Sequence, residues 1–289
     1  MMRLRIAGIV GAATLLLAAA PASAESLGEA GGFIYMKRES VLPKGPAPTS
    51  QDATAKCPAG AVHTGGGGAV TGRPGGTFIA SSGTAADKQW YVEGWQTGVN
   101  PKRETVTAWV ICTEKTGKVT DESNLENAGP APSGDHATAS CLQGHAVGGG
   151  VRTIGAASTW WLNSSYPIDE GDAGGRPDDG WVAWVQHPAG DTHDFIVDVI
   201  CMDGKEPIYR EKAKTTSKKK VTTKAFCPKG TSVVGGGGYA SKATDESHLI
   251  TTQPIDSRKD ADSVPDDGWK SRSVNHMGEQ TFSAQAICK

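Results

Sequence analysis

Beyond its first two dozen residues the chain has no apolar run long enough to cross a membrane as a helix. Aromatic residues are scarce, at 6% of the total, although eight of them are Trp. Neither sign of charge dominates. The 29 Lys and Arg against 31 Asp and Glu give a formal net charge of -2, which argues against a dedicated nucleic-acid binder. There is no Gly-x-Ser-x-Gly elbow and no His-Glu-x-x-His pair, so neither serine-hydrolase nor zinc-protease chemistry is announced. The glycine runs at 65–68, 148–150 and 235–238 are not followed by Lys-Ser or Lys-Thr, so they do not make a phosphate cradle.

What the chain does have begins with a leader. Arg3 and Arg5 precede an apolar core from Ile6 to Ala20, and Ala22-Ser23-Ala24 is a small-x-small cleavage site. Residues 1–24 therefore read as a secretory signal peptide, with a mature extracellular protein from about Glu25. Six Cys in an exported chain are expected to be oxidised.

Their spacing exposes a threefold repeat. Cys141-Leu142-Gln143-Gly144, Gly149-Gly150, Pro177-Asp178-Asp179-Gly180-Trp181 and Ile200-Cys201 recur in the same order elsewhere. One copy is Cys57-Pro58-Ala59-Gly60, Gly65-Gly66, Gly94-Trp95 and Ile111-Cys112. The other is Cys227-Pro228-Lys229-Gly230, Gly235-Gly236, Pro265-Asp266-Asp267-Gly268-Trp269 and Ile287-Cys288. Equivalent units bond equivalently, which favours Cys57 with Cys112, Cys141 with Cys201 and Cys227 with Cys288. A cyclic set (Cys112 with Cys141, Cys201 with Cys227, Cys57 with Cys288) also respects the repeat.

Glycine-rich, Trp-punctuated sequence with many Thr and Val favours turns and strands. In the strand ending at Cys112, Val106, Ala108, Val110 and Cys112 share one face. Phe195, Val197, Val199 and Cys201 match them, as do Phe282, Ala284, Ala286 and Cys288. This face carries the bonded Cys and is expected in the core. The other face, with Thr107, Asp198 and Ser283, is expected to be half solvated.

The expected fold is thus all-β: three homologous, disulfide-stapled antiparallel β-repeats at 49–112, 133–201 and 219–289. Residues 25–48 form an N-terminal extended segment, and 113–132 and the basic stretch 202–218 are linkers. The repeats either sit like beads or close around a pseudo-threefold axis as a β-prism or barrel-like body.

Chemistry is harder to read. Asp169, Glu170, Asp172, Asp178 and Asp179, with Asp256, Asp260, Asp262, Asp266 and Asp267, supply hard oxygen atoms that calcium could use, but Pro-Asp-Asp-Gly is a turn in its own right. Trp95, Trp181 and Trp269 recur and are expected to pack near the glycines. Trp160, Trp161 and Trp184, and Trp90 with Tyr91, have no match in the third repeat. Unrepeated aromatics suit a protein hot spot or a sugar ring. Phe33, Ile34, Tyr35 and Met36 form a tethered apolar run suited to pairing with the sheet edge of another protein. No cofactor or metal is expected.

The order Cys-Pro-x-Gly, Val-Gly-Gly-Gly, Gly-Trp and Ile-Cys is carried by Cys227 to Gly230, Val234 to Gly237, Gly268-Trp269 and Ile287-Cys288. It resembles a repeat of secreted actinobacterial proteins, a family that implies no activity; Leu142 stands where the pattern has Pro. In plan the threefold Cys-bounded unit is similar to the egg-envelope β-prism protein. A secreted β-protein with a tethered N-terminal strand also looks like the small adaptor of the umbrella toxin particles of Streptomyces. The functional expectation is a secreted, non-catalytic binding or adaptor protein with a protein partner. Candidate contacts are Phe33 to Met36 and Trp160, Trp161 and Trp184. The alternatives are a lectin-like module for carbohydrate or cell wall, and a secreted enzyme using loop carboxylates.

Overall fold

The computed structural model describes residues 24–42, 49–72, 76–86, 88–97, 104–115, 119–127, 134–155, 160–170, 175–187, 194–241, 247–257, 262–276 and 278–289. The expected leader up to residue 23, residues 43–48 of the N-terminal segment, residues 116–118 and 128–132 of the first linker, and Asp172 and Asp260 lie outside these residues. Every element among the described residues is a strand, and no helix is long and apolar enough to cross a membrane.

After the short β1 (Glu25–Ala30), each repeat contributes six strands in the same order. The first has β2 (Phe33–Leu42), β3 (Thr49–Lys56), β4 (Val62–Val70), β5 (Thr77–Ala85), β6 (Gln89–Gln96) and β7 (Glu104–Thr113). The second has β8 (Val119–Asn127), β9 (Gly134–Ser140), β10 (His145–Thr153), β11 (Trp161–Ile168), β12 (Gly180–Gln186) and β13 (Asp194–Met202). The third has β14 (Ile208–Thr216), β15 (Lys220–Phe226), β16 (Val233–Ala240), β17 (His248–Ile255), β18 (Gly268–Val274) and β19 (Gln280–Cys288). The segments expected as linkers therefore contain strands. Residues 33–42, 119–127 and 208–216 are the first strands of the repeats, and each pairs with the last strand of its own unit.

The bonds Cys57–Cys112, Cys141–Cys201 and Cys227–Cys288 are the intra-repeat set, closing 55, 60 and 61 residues. They staple the residue that follows the second strand to the end of the sixth. The face Val106, Ala108, Val110 and Cys112 is fully buried, as expected. The opposite face is not half solvated: Thr107, Asp198 and Ser283 are buried too.

The strand order explains this. The three sheets run β1-β2-β7-β4-β17-β18-β15, β3-β6-β5-β10-β13-β8 and β14-β19-β16-β11-β12-β9. Each repeat splits into two halves, the first, sixth and third strands and the fourth, fifth and second. Each half joins a half of a different repeat. The repeats are thus not beads, because every sheet is shared, yet each sheet is open, with two edges. The joints are brief: Val151 opposite Ser82, Ser165 opposite Gly238, and Thr251 and Thr252 opposite Ala69 and Gly68.

Glycine makes the meeting of the repeats sterically feasible. A Cβ on Gly65 would lie 2.6 Å from the Val234 carbonyl oxygen, one on Gly148 2.3 Å from that of Thr64, and one on Gly235 2.0 Å from that of Val147. The contacts run first to third, third to second and second to first, so the third strands of the three repeats meet in cyclic order. Glycine inside a strand here marks the close approach of another backbone.

A second glycine in each run seats a Trp. A Cβ on Gly66, Gly149 or Gly236 would fall 2.2, 2.4 and 2.5 Å from the rings of Trp90, Trp181 and Trp269. The indole Nε1 atoms donate to Ser82 Oγ at 3.1 Å, Ser165 Oγ at 2.8 Å and Thr252 Oγ1 at 2.8 Å. The core Trp of the first repeat is therefore Trp90. Trp95, expected there, sits in a small separate cluster with Phe78, Ala80 and Trp161.

Candidate functional site

Phe33, Ile34, Tyr35 and Met36 do not form an exposed tether. They lie in β2, paired on one side with β1 and on the other with β7. Phe33 and Tyr35 are buried, and Ile34 and Met36 pack against the core. A strand hydrogen-bonded along both edges has no free ladder for a partner here, which corrects the expectation of a donor strand.

The three unrepeated Trp residues separate. Trp160 is fully buried, stacked on His187 at 4.8 Å. Trp161 is half-buried and meets Phe78 edge-on at 5.9 Å. Trp184 is half-exposed and stacks on the exposed His136, with centroids 4.1 Å apart and planes 11° from parallel.

The loop carboxylates mostly secure turns. Asp179 Oδ2 accepts from the Glu170 amide at 2.8 Å, and Asp267 Oδ2 accepts from the Ser257 amide at 2.6 Å. Asp178 contacts His145 Nδ1 at 2.6 Å, and Asp266 accepts from Ser232 Oγ at 3.0 Å. Among the described residues no group of three or more His, Cys, Asp or Glu is placed to hold a metal ion.

The register identifies three equivalent surface positions, three residues beyond each core Trp on the fifth strand. Trp184 stands between His136 and Ser164, Arg272 between Thr222 and Thr251, and Glu93 between Asp52 and Ser81. Two residues away on the same faces are Val182, Lys270 and Tyr91. One scaffold position thus carries aromatic, cationic and acidic chemistry in turn. Burial pushes the Glu93 carboxyl up, opposed by the hydrogen bond from Trp95 Nε1 at 2.8 Å, and Asp52 raises it further.

The aromatic position is the most developed. Trp184 also lies within hydrogen-bonding reach of the Tyr166 hydroxyl, which opposes the rise in its pKa, and Tyr166 meets Tyr239 edge-on at 5.1 Å. His136, Trp184, Tyr166 and Tyr239 therefore form one continuous band over β9, β12, β11 and β16, crossing the joint between the second and third repeats. All four are at least partly exposed. Burial raises the Tyr166 hydroxyl pKa, as does Tyr239, and nearby Glu211 adds to the rise. Burial and then Glu211 raise that of Tyr239. Both hydroxyls are protonated at neutral pH. The band offers ring surface together with neutral donors.

Of the band, the sequence picked out only Trp184. His136, Tyr166 and Tyr239 are single aromatic residues in otherwise ordinary strands. Tyr239 comes from another repeat, joined by a pairing that no local pattern encodes. No protein-family model matches the chain, and no curated protein matches it.

Proposed function

We propose that the protein is a secreted, non-catalytic binding protein that engages a protein partner, as an adaptor would, through the band His136, Trp184, Tyr166 and Tyr239. The observation that carries this is the exposure of a continuous aromatic cluster at a position that the other two repeats fill with Arg272 and Glu93. The scaffold does not require aromatics there. Trp and Tyr supply large contact area at low conformational-entropy cost and dominate interface energetics. The disulfides fit an oxidising compartment.

A lectin-like reading draws on the same residues, because a Trp stacked on His136 and flanked by Tyr hydroxyls and Glu211 combines ring surface with polar groups suited to a sugar. One experiment separates the two. The mature protein and a Trp184→Ala/Tyr166→Ala variant are used as bait in culture supernatant of the producing strain, and are tested in parallel for retention on purified cell-wall polysaccharide. A stoichiometric protein captured by the wild type and lost with the variant supports the adaptor. Retention on polysaccharide, lost with the same variant and without a protein partner, supports the lectin. Capture or retention that the variant leaves unchanged overturns the assignment of this band.

A further inference from the structure

The cationic counterpart of the aromatic band has a chemistry of its own. Lys224 on β15 and Lys270 on β18 are directly opposed, and Arg272 follows Lys270 by two residues on the same face. Lys224 is exposed, and Lys270 and Arg272 are half-buried. The register neighbours on this face are Thr222, Thr251, Gln253 and Ala69, none of them acidic. Among the described residues none of the three cations makes an ion pair. Burial lowers the pKa of Lys270, and the nearby charges of Lys224 and Arg272 lower it further.

Like charges directly opposed across two strands destabilise a sheet. Lysine on an edge strand has an ordinary use, since it discourages edge-to-edge aggregation, and β15 is an edge. That use does not extend to Lys270 and Arg272, because β18 is an interior strand between β17 and β15. Nor is the patch a by-product of a basic chain, whose formal net charge is -2. The repulsion is relieved if an anion occupies the face. Strand geometry sets their backbone positions about 5 Å apart across the strands and about 7 Å apart along them, so the three side chains are laid out along the face as a row, which suits a chain of charges better than one small ion.

We propose that the face formed by Lys224, Lys270 and Arg272 binds a linear polyanion, a polymer that bears phosphate or sulfate groups along its length. Polymer charges supply the counter-charge that no neighbouring side chain on this face provides, and the binding is salt-dependent because small ions are released. This site is separate from the aromatic band, so either assignment can fail without the other.

The test titrates the mature protein with long-chain polyphosphate, dextran sulfate, orthophosphate and uncharged dextran at two ionic strengths. It is repeated with a Lys270→Gln/Arg272→Gln variant and with Trp184→Ala, and thermal unfolding confirms that each variant folds. Binding to one or both anionic polymers is expected, weakened roughly tenfold in the double variant with a shallower salt slope, and unchanged in Trp184→Ala. The relative affinity of the two polymers identifies the group as phosphate or sulfate. Absence of polymer binding at low salt, equal binding by the double variant, or equal affinity for orthophosphate and polyphosphate would overturn the proposal.

Discussion

Tyr35 reaches across 198 residues of sequence to donate its hydroxyl proton to the carbonyl oxygen of Val233 at 2.6 Å. It ties the first strand of one repeat to the third strand of another. Tyr209 repeats the arrangement on Ala146, also at 2.6 Å. The third equivalent pair is Asp121 with the buried His63, 3.2 Å apart. Two hydroxyl latches and this His–Asp contact thus fall in cyclic order where the glycine contacts bring the repeats together.

Tyr35→Phe and Tyr209→Phe are each expected to lower stability by about 1 kcal/mol, the net value of one hydrogen bond, with more where the abandoned carbonyl stays dry. The double variant should lose close to the sum, because the latches lie at different inter-repeat contacts. Urea unfolding of the single and double variants measures this. No loss in either single variant would show that the latches are incidental.

The Trp–glycine contacts predict a sharp contrast between neighbouring Trp residues. Trp90→Ala removes a fully buried ring and leaves a cavity against Gly66, at a cost of about 3–5 kcal/mol. Gly149→Ala should be comparably damaging, since the new Cβ falls 2.4 Å from the Trp181 ring and 2.5 Å from the Asp198 carbonyl oxygen. Trp95→Phe, in the small cluster with Phe78, should cost less than either. Chemical denaturation ranks the three, and a larger loss at Trp95 than at Trp90 would reverse the assignment of the repeated Trp.

Acid should weaken the protein through His248. Its imidazole is buried against Phe78 and His276. Burial, reinforced by His276 and opposed by a hydrogen bond to the Thr77 backbone, lowers its pKa from 6.5 to about 4. Between those values the unfolded chain binds the proton and the folded chain does not, so stability is full above about pH 6.5 and falls as pH drops toward 4. The contribution is on the order of 3 kcal/mol. Urea midpoints at pH 7, 6 and 5 test it. The slope should flatten in His248→Gln, and an unchanged slope would remove His248 as its source.

Each disulfide closes 55 to 61 residues, a loop length that corresponds to about 4 kcal/mol in the chain-entropy account. Replacing Cys141 and Cys201 together by Ser should lower the thermal midpoint of the whole molecule in one transition, because every sheet is shared between repeats. A separate early transition for the second repeat would contradict that coupling.

The sequence by itself determined the Cys-bounded β-repeat and favoured the intra-repeat Cys pairs, which the structure then selected over the cyclic set. It also determined that Val106, Ala108, Val110 and Cys112 share the core face, because alternation within one strand and similarity between copies are local properties of the chain. Several features were not legible. The first strands, 33–42, 119–127 and 208–216, share no motif. The second and third are exposed along most of their length, so burial imposes little alternation on them. Trp95 passed for the repeated residue because Gly94 precedes it, whereas Trp90 follows a shorter hairpin and has Gln89 where the other repeats have Gly180 and Gly268. The exchange of half-sheets, the cyclic meeting at Gly65, Gly148 and Gly235, and the band of His136, Trp184, Tyr166 and Tyr239 were decided only by the tertiary structure. Their physical basis is pairing and close approach between strands distant in sequence, many of them in different repeats, and the in-strand glycines are the clearest trace such contacts leave in the sequence.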